Sequence, residues 1–162
     1  MKITFITTGG TIDKDYPKGA GAYSFEIGLP AVDRVLAQVN PNFEYEIISV
    51  FKKDSLEIDD DDRAKLVEAC RAVENDKIII THGSDSMLRS ARALDAIKDK
   101  TIVLVGSFRP EWFKDSNAQF NIGFAIGAIG YLVPGVYIAM HGRVYSWDRC
   151  KREDGTSRFV EG

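Results

Sequence analysis

The sequence predicts an α/β fold, a three-layer Rossmann-like or flavodoxin-like domain with a mostly parallel sheet. Three observations predict it: five short apolar runs rich in β-branched residues, helical periodicity between most of them, and glycine- and hydroxyl-rich blocks directly after the runs. Several runs are apolar on both faces, as strands covered by helices on both sides must be.

The elements follow in order. Ile3 to Thr7 is the first predicted strand, and it runs into Thr7-Thr8-Gly9-Gly10-Thr11-Ile12, where two glycines allow a tight turn that presents Thr11 at the sheet edge. Asp13 to Gly28, rich in Gly and Tyr, breaks the rhythm and is expected to form a hairpin or a mobile lid. Pro30 to Val39 has a proline at a suitable first helical position. Phe43 to Phe51 is the second strand, followed by Lys53-Asp54-Ser55-Leu56-Glu57. Asp59 to Val73 carries apolar residues at helical spacing, and its acidic start, Asp59 to Asp62, suits a capped helix N-terminus rather than a calcium loop, which needs a glycine and a terminal glutamate. Lys77 to Thr81 is the third strand and leads through His82-Gly83-Ser84-Asp85-Ser86-Met87 into a helix expected over Ser84 to Ile97. Thr101 to Gly106 is the fourth, trailed by Gly106-Ser107-Phe108-Arg109-Pro110. Asp115 to Leu132 is the longest candidate helix, Val136 to Met140 the fifth strand, and Ser146 to Gly162 a polar, solvated tail holding Asp148, Lys151 and Arg152. Crossovers are expected to be right-handed, with ligands outside the carboxyl ends of the strands.

Composition narrows the function classes. The chain, 162 residues with 44% hydrophobic and 28% charged, reads as one domain over 1–162, without repeats or linkers. A formal net charge of -3 gives no footprint for nucleic acid or an anionic membrane, so neither is expected as a partner. Phe120 to Pro134 is the longest apolar stretch and falls short of the roughly 20 residues that span a bilayer. Met1 to Thr8 lacks the charged start and cleavage region of a signal peptide, so the mature chain is expected to begin where this sequence begins. Two cysteines, Cys70 and Cys150, make no disulfide framework, and a reduced, cytoplasmic protein is expected. With His82 and His141 they match no zinc spacing, so no metal is expected, and His82 is read as holding the turn it occupies. Neither a complete G-x-G-x-x-G nor a Walker lysine motif occurs, and no cofactor is expected.

The blocks at the carboxyl ends combine hydroxyls, acids and glycines. Any one hydroxyl among Ser84 and Ser86 is as well explained by helix capping. Taken together, they form the parts list of acyl transfer: a hydroxyl nucleophile with a base to activate it, and backbone N–H donors at glycine turns or a helix N-terminus for the oxyanion. A desolvated lysine supplies such a base.

Thr8-Gly9-Gly10-Thr11-Ile12 and His82-Gly83-Ser84-Asp85-Ser86-Met87 resemble the T-G-G-T-I and H-G-T-D-T-M signatures of bacterial-type L-asparaginases. Asp54-Ser55 resembles the family's substrate-binding block, and Gly106 to Pro110 its G-A-x-R-P. The resemblance covers the whole chain but only the family's N-terminal catalytic domain, without its second, smaller domain. It implies an amidohydrolase turning L-asparagine into L-aspartate and ammonia, with weaker action on glutamine and without a cofactor. Thr11 is then the nucleophile, Ser84 and Lys151 its supporting triad, and Asp85 the grip on the substrate ammonium. Ser55, with Asp54, Gly10 and Gly83, is placed at the substrate. Asp148-Arg149-Cys150-Lys151 resembles the family's D-x-x-K, with Arg152 next to it. The resemblance also implies a homo-oligomer, a dimer or tetramer.

Two departures bear on activity. Where the family has an activating tyrosine this chain has Phe25, so either Tyr23 or Tyr16 reaches in, or activation depends on the lysine arm alone. The acidic group that the family's second domain lends from a neighbouring subunit must come from Glu26 or Glu57, or be absent. The competing expectations are an amidase for another amide, and a weak or inactive member that binds a small amino acid as a sensor or partner module.

Overall fold

A computed structural model describes residues 1–16, 24–156 and 158–162. In chain order the elements are β1 (Lys2–Gly9), a short helical turn (Thr11–Asp13), β2 (Lys14–Asp15), β3 (Glu26–Ile27), α1 (Ala31–Val39), β4 (Glu44–Lys53), a turn at Ser55–Glu57, α2 (Asp60–Ala72), β5 (Lys77–Thr81), α3 (Met87–Leu94), β6 (Thr101–Val105), α4 (Ala118–Ile129), β7 (Gly135–Met140), β8 (Arg143–Ser146), β9 (Cys150–Arg152) and β10 (Phe159–Glu161). The main sheet runs β4-β1-β5-β6-β7-β8. Its first five strands are parallel and β8 pairs antiparallel with β7.

The central strands are apolar on both faces because both faces are covered. Ile78, Ile79 and Ile80 of β5 are fully buried, as are Ile102 to Leu104 of β6. Asp59 caps α2 by accepting from the Asp62 amide while Asp62 accepts in return, which accounts for the acidic run. Pro30 stands one residue before α1, at its N-cap. The expected helix at Ser84 begins at Met87 instead, because Ser84 to Ser86 form a turn whose Ser86 hydroxyl donates to the Ser55 carbonyl.

One crossover departs from the expected hand. α2 and α3 pack together, whereas α4 lies with α1: Glu111, which precedes α4, receives Arg34 of α1 and Gln119 of α4, and Gln119 also reaches Gln38. Running from β6 to β7 over the α1 face reverses the handedness of that step. The long loop before α4 makes this route accessible, and Glu111 N–H pins it across the sheet edge on the Ile12 carbonyl.

Two segments outside the helix-strand rhythm are pairs of short strands. β2 pairs antiparallel with β3, so the ends of the Asp13 to Gly28 segment form the base of a hairpin. The polar tail is likewise a hairpin of β9 and β10, anchored where Tyr145 donates its hydroxyl to the Phe159 carbonyl.

Candidate active site

Chain direction across the sheet reverses at β1, whose successor β4 lies on one side and β5 on the other. Loops leaving β1 and β5 therefore diverge and open a crevice at their carboxyl ends, where ligands bind in doubly wound sheets. The strands end in step, Thr7 beside Thr81 and Thr81 beside Val105, so the turns that follow emerge together.

Glycines let these turns touch backbone to backbone. Gly10, at φ 81°, packs against the β5 turn so closely that a Cβ there would lie 2.5 Å from the Gly83 nitrogen. A Cβ on Gly83 would lie 2.6 Å from both Cβ and Oγ of Ser55, and one on Gly106 would lie 2.3 Å from the His82 carbonyl oxygen. Gly10, Gly83 and Ser55 thus form a continuous stack from three different turns. Cross-links hold it: the Gly10 amide donates to the Lys53 carbonyl at 2.9 Å, and Thr8 Oγ1 donates to the Thr81 carbonyl at 2.9 Å. Thr11 stands on the turn above this stack, half-buried.

His82 beneath the turn is fully buried and its Nδ1 lies 2.7 Å from the Gly83 carbonyl. A carbonyl only accepts, so Nδ1 carries the hydrogen and Nε2 accepts from Ser90 Oγ at 2.8 Å. Burial pushes the imidazole pKa down to about 4 and keeps it neutral.

The remaining expected residues occupy distinct places. Asp54 is committed to structure, accepting from the Leu56 amide and pairing with Lys14 Nζ at 2.7 Å. Glu57 completes that capping box, and Glu26 is exposed on β3. Ser84 is half-buried and Asp85 exposed at the mouth of the β5 turn. Asp85 pairs with the Arg152 guanidinium. Lys151, one residue earlier on β9, is exposed and its stem lies along Gly162. Side chains alternate along a strand, so only one of the two basic residues faces Asp85. Phe25 packs edge-on against Tyr16 at 5.3 Å and against Phe113 at 5.6 Å, forming an aromatic cluster beside the hairpin. Tyr23 lies outside the described residues.

A buried network under Thr11 could not be read from the sequence. Asp13, only 2% exposed, accepts from the Ala31 amide at 2.7 Å and so caps α1. Its own amide donates to the Gly10 carbonyl and its carbonyl accepts from Gly28, so one residue ties the nucleophile turn to the hairpin and to α1. Nearby, Arg34 Nε meets Glu111 Oε2 at 2.8 Å, with the guanidinium 4.3 Å from the Trp112 ring centre. Burial, opposed by the Ala31 hydrogen bond and by Arg34 and Lys52, raises the Asp13 pKa from 3.8 to about 7.

That shift predicts a stability profile. The native state holds the Asp13 proton more tightly than the unfolded chain, so stability falls as pH rises from 3.8 to about 7 and stays reduced above. Asp13→Asn keeps an acceptor for Ala31 without the charge. In urea titrations it is expected to stabilise the protein at pH 8 by on the order of 2–4 kcal/mol, with the gain gone near pH 4. His82 acts in the opposite sense, removing stability as pH falls from 6.5 towards 4, so the wild-type profile is flatter than either group alone would give. Parallel pH profiles for wild type and Asp13→Asn would mean that the carboxyl titrates normally.

The family model described as "Asparaginase, N-terminal" matches residues 2–159, the span that holds every turn of this crevice. The chain belongs to the asparaginase family. Among curated relatives, a glutamyl-tRNA(Gln) amidotransferase subunit of Methanococcus vannielii is 31% identical over 150 residues, covering 88% of this chain and 34% of the relative. A probable periplasmic L-asparaginase of Haemophilus influenzae is 31% identical over 135 residues, covering 76% and 37%. The thermostable L-asparaginase of Thermococcus kodakarensis shares the fold, with a TM-score of 0.84 at 24% identity over 99% of this chain and 51% of its own. The chain thus spans about a third of the length of these curated relatives and half of that solved neighbour. Among the described residues, no helix of this asparaginase-family chain is long and apolar enough to cross a membrane.

Proposed function

We propose that this asparaginase-family chain is an amidohydrolase that converts L-asparagine to L-aspartate and ammonia, with Thr11 as nucleophile. Thr11 Oγ1 forms a bond to the side-chain amide carbon and the C–N bond breaks, the hydroxyl proton leaving with ammonia. Water then hydrolyses the acyl-enzyme and returns the proton to Thr11. The observation that carries this reading is the convergence of Gly10, Gly83 and Ser55 at the strand reversal, which brings the two signature blocks into contact beside Thr11. Relatives named as L-asparaginase and as an amidotransferase subunit support amide chemistry. A cytoplasmic setting belongs to the same proposal, supported by the free thiols of Cys70 and Cys150.

A second reading, a module that binds a small amino acid with little or no turnover, is favoured by one observation. The basic residue against Asp85 is Arg152, and a guanidinium stays protonated and serves as no base. An ammonia-release assay with asparagine, glutamine and a panel of small amides separates the two. Ammonia from asparagine supports hydrolysis; none from any amide, together with measurable aspartate binding, supports the module.

The basic arm has its own test. Lys151→Met is expected to lower kcat by about 100-fold if lysine moves the proton, while Arg152→Met changes KM, because it frees Asp85 for the substrate ammonium. A loss of kcat confined to Arg152→Met would mean that Lys151 is not the basic arm and that the match of the tail to D-x-x-K is out of register.

A further inference from the structure

The carboxylates around the crevice are already engaged. Four lie within three residues of Thr11, Ser55 or Gly83: Asp13, Asp54, Glu57 and Asp85. Asp13 is buried and accepts from the Ala31 amide. Asp54 holds Lys14 Nζ at 2.7 Å together with the Leu56 amide, and Glu57 accepts from the Asp54 amide at 3.2 Å. Asp85, at the mouth, pairs with the Arg152 guanidinium. The hairpin acids Asp15 and Glu26 line a different pocket with Tyr16, Leu29 and Trp112, which shares no residue with the glycine stack. Positive charge, by contrast, is in surplus. Lys151 is exposed and pairs with no carboxylate among the described residues, and the same holds for Lys52, which is near enough to act electrostatically on Asp13 beneath Thr11.

We propose that this crevice favours substrates without a cationic substituent: monoamides of dicarboxylic acids that carry no amino group, of which succinamate, the desamino counterpart of asparagine, is the simplest. The inference rests on the amide hydrolysis proposed above and narrows its substrate, asparagine being the poorer of the two. The step is unchanged, succinamate and water giving succinate and ammonia. A zwitterionic substrate must bring its ammonium into a partly desolvated site whose carboxylates all have partners. It reaches Asp85 only by displacing a guanidinium whose charge then stays beside it. Parting that pair is the smaller obstacle, because both side chains are about one-third exposed, 34% for Arg152 and 39% for Asp85, and such pairs exchange readily. The like charge left next to the ammonium is the larger one. A substrate that carries only a carboxylate meets neither, and the surplus cations attract it.

Calorimetric binding of the two products to the full chain tests the preference apart from turnover, and ammonia release from the two amides tests it in the reaction. Wild type is expected to bind succinate about tenfold more tightly than aspartate, and to hydrolyse succinamate with a kcat/KM about tenfold above that for asparagine. Arg152→Gln releases Asp85 and removes the repelling charge, so the binding ratio should move at least tenfold towards aspartate. Arg152→Lys keeps the charge and should keep the wild-type preference. Adding Asp85→Asn to Arg152→Gln should cancel the gain for aspartate. No ammonia from any amide, with succinate still bound more tightly than aspartate, would remove the hydrolase reading and leave the preference standing. The preference itself is overturned if wild type binds aspartate as tightly as succinate, binds neither, or hydrolyses asparagine at least as well as succinamate. It is overturned equally if Arg152→Gln leaves the ratio unchanged, or if the gain for aspartate survives Asp85→Asn.

Discussion

Thr11→Ala is expected to abolish ammonia release, with kcat falling about 1,000-fold or more, because no other hydroxyl takes the place of a lost nucleophile. Its effect on folding should be small. Thr11 is half-buried, so truncation removes a methyl and a hydroxyl from a partly solvated position. The urea midpoint should stay within about 1 kcal/mol of wild type, and aspartate binding should persist. Thr11→Ser keeps the oxygen and should retain measurable turnover. Ammonia release that survives Thr11→Ala would move the nucleophile to another hydroxyl of the crevice.

Fold and site were legible in the sequence to different depths. Lys77 to Thr81 agrees residue for residue with β5, because a run buried on both faces has no polar edge to blur it. Strand β8 is short and half-exposed, and its signal lay in His141-Gly142, a two-residue turn with both φ positive that closes the β7–β8 hairpin. The reversed crossover was not legible. Handedness there follows from where Glu111 docks, a contact between Ile12 and a loop far along the chain. Within the site, each signature block is local and so readable, but what lies beneath them is not. Asp13 shows in the sequence as an ordinary loop acid, and only the closure of Ala31, Arg34 and Glu111 around it makes a buried carboxyl. Lys151 and Arg152 are neighbours in sequence and opposites in space, a difference that depends on the strand β9 that the polar composition concealed.

The glycine stack predicts a large loss of stability from a single methyl group. Gly10→Ala forces a side chain onto a φ of 81° and sets its Cβ 2.5 Å from the Gly83 nitrogen, 2.7 Å from its Cα and 3.2 Å from the His82 carbonyl carbon. Those neighbours are all backbone and have no rotamer by which to retreat. Strain and overpacking together should cost about 2–4 kcal/mol, seen as a lower urea midpoint at an unchanged slope. Any relaxation parts the β1 turn from the β5 turn, so ammonia release should fall further than the folded fraction does. Gly123→Ala makes the same chemical change inside α4, where an added Cβ meets nothing within 4 Å. There it should stabilise by about 1 kcal/mol, since alanine loses less backbone entropy in a helix. Opposite shifts from one methyl group would separate the crowding at the crevice from any general intolerance of change. Equal midpoints for Gly10→Ala and wild type, with full activity, would mean that the two turns do not meet and that the crevice is built some other way.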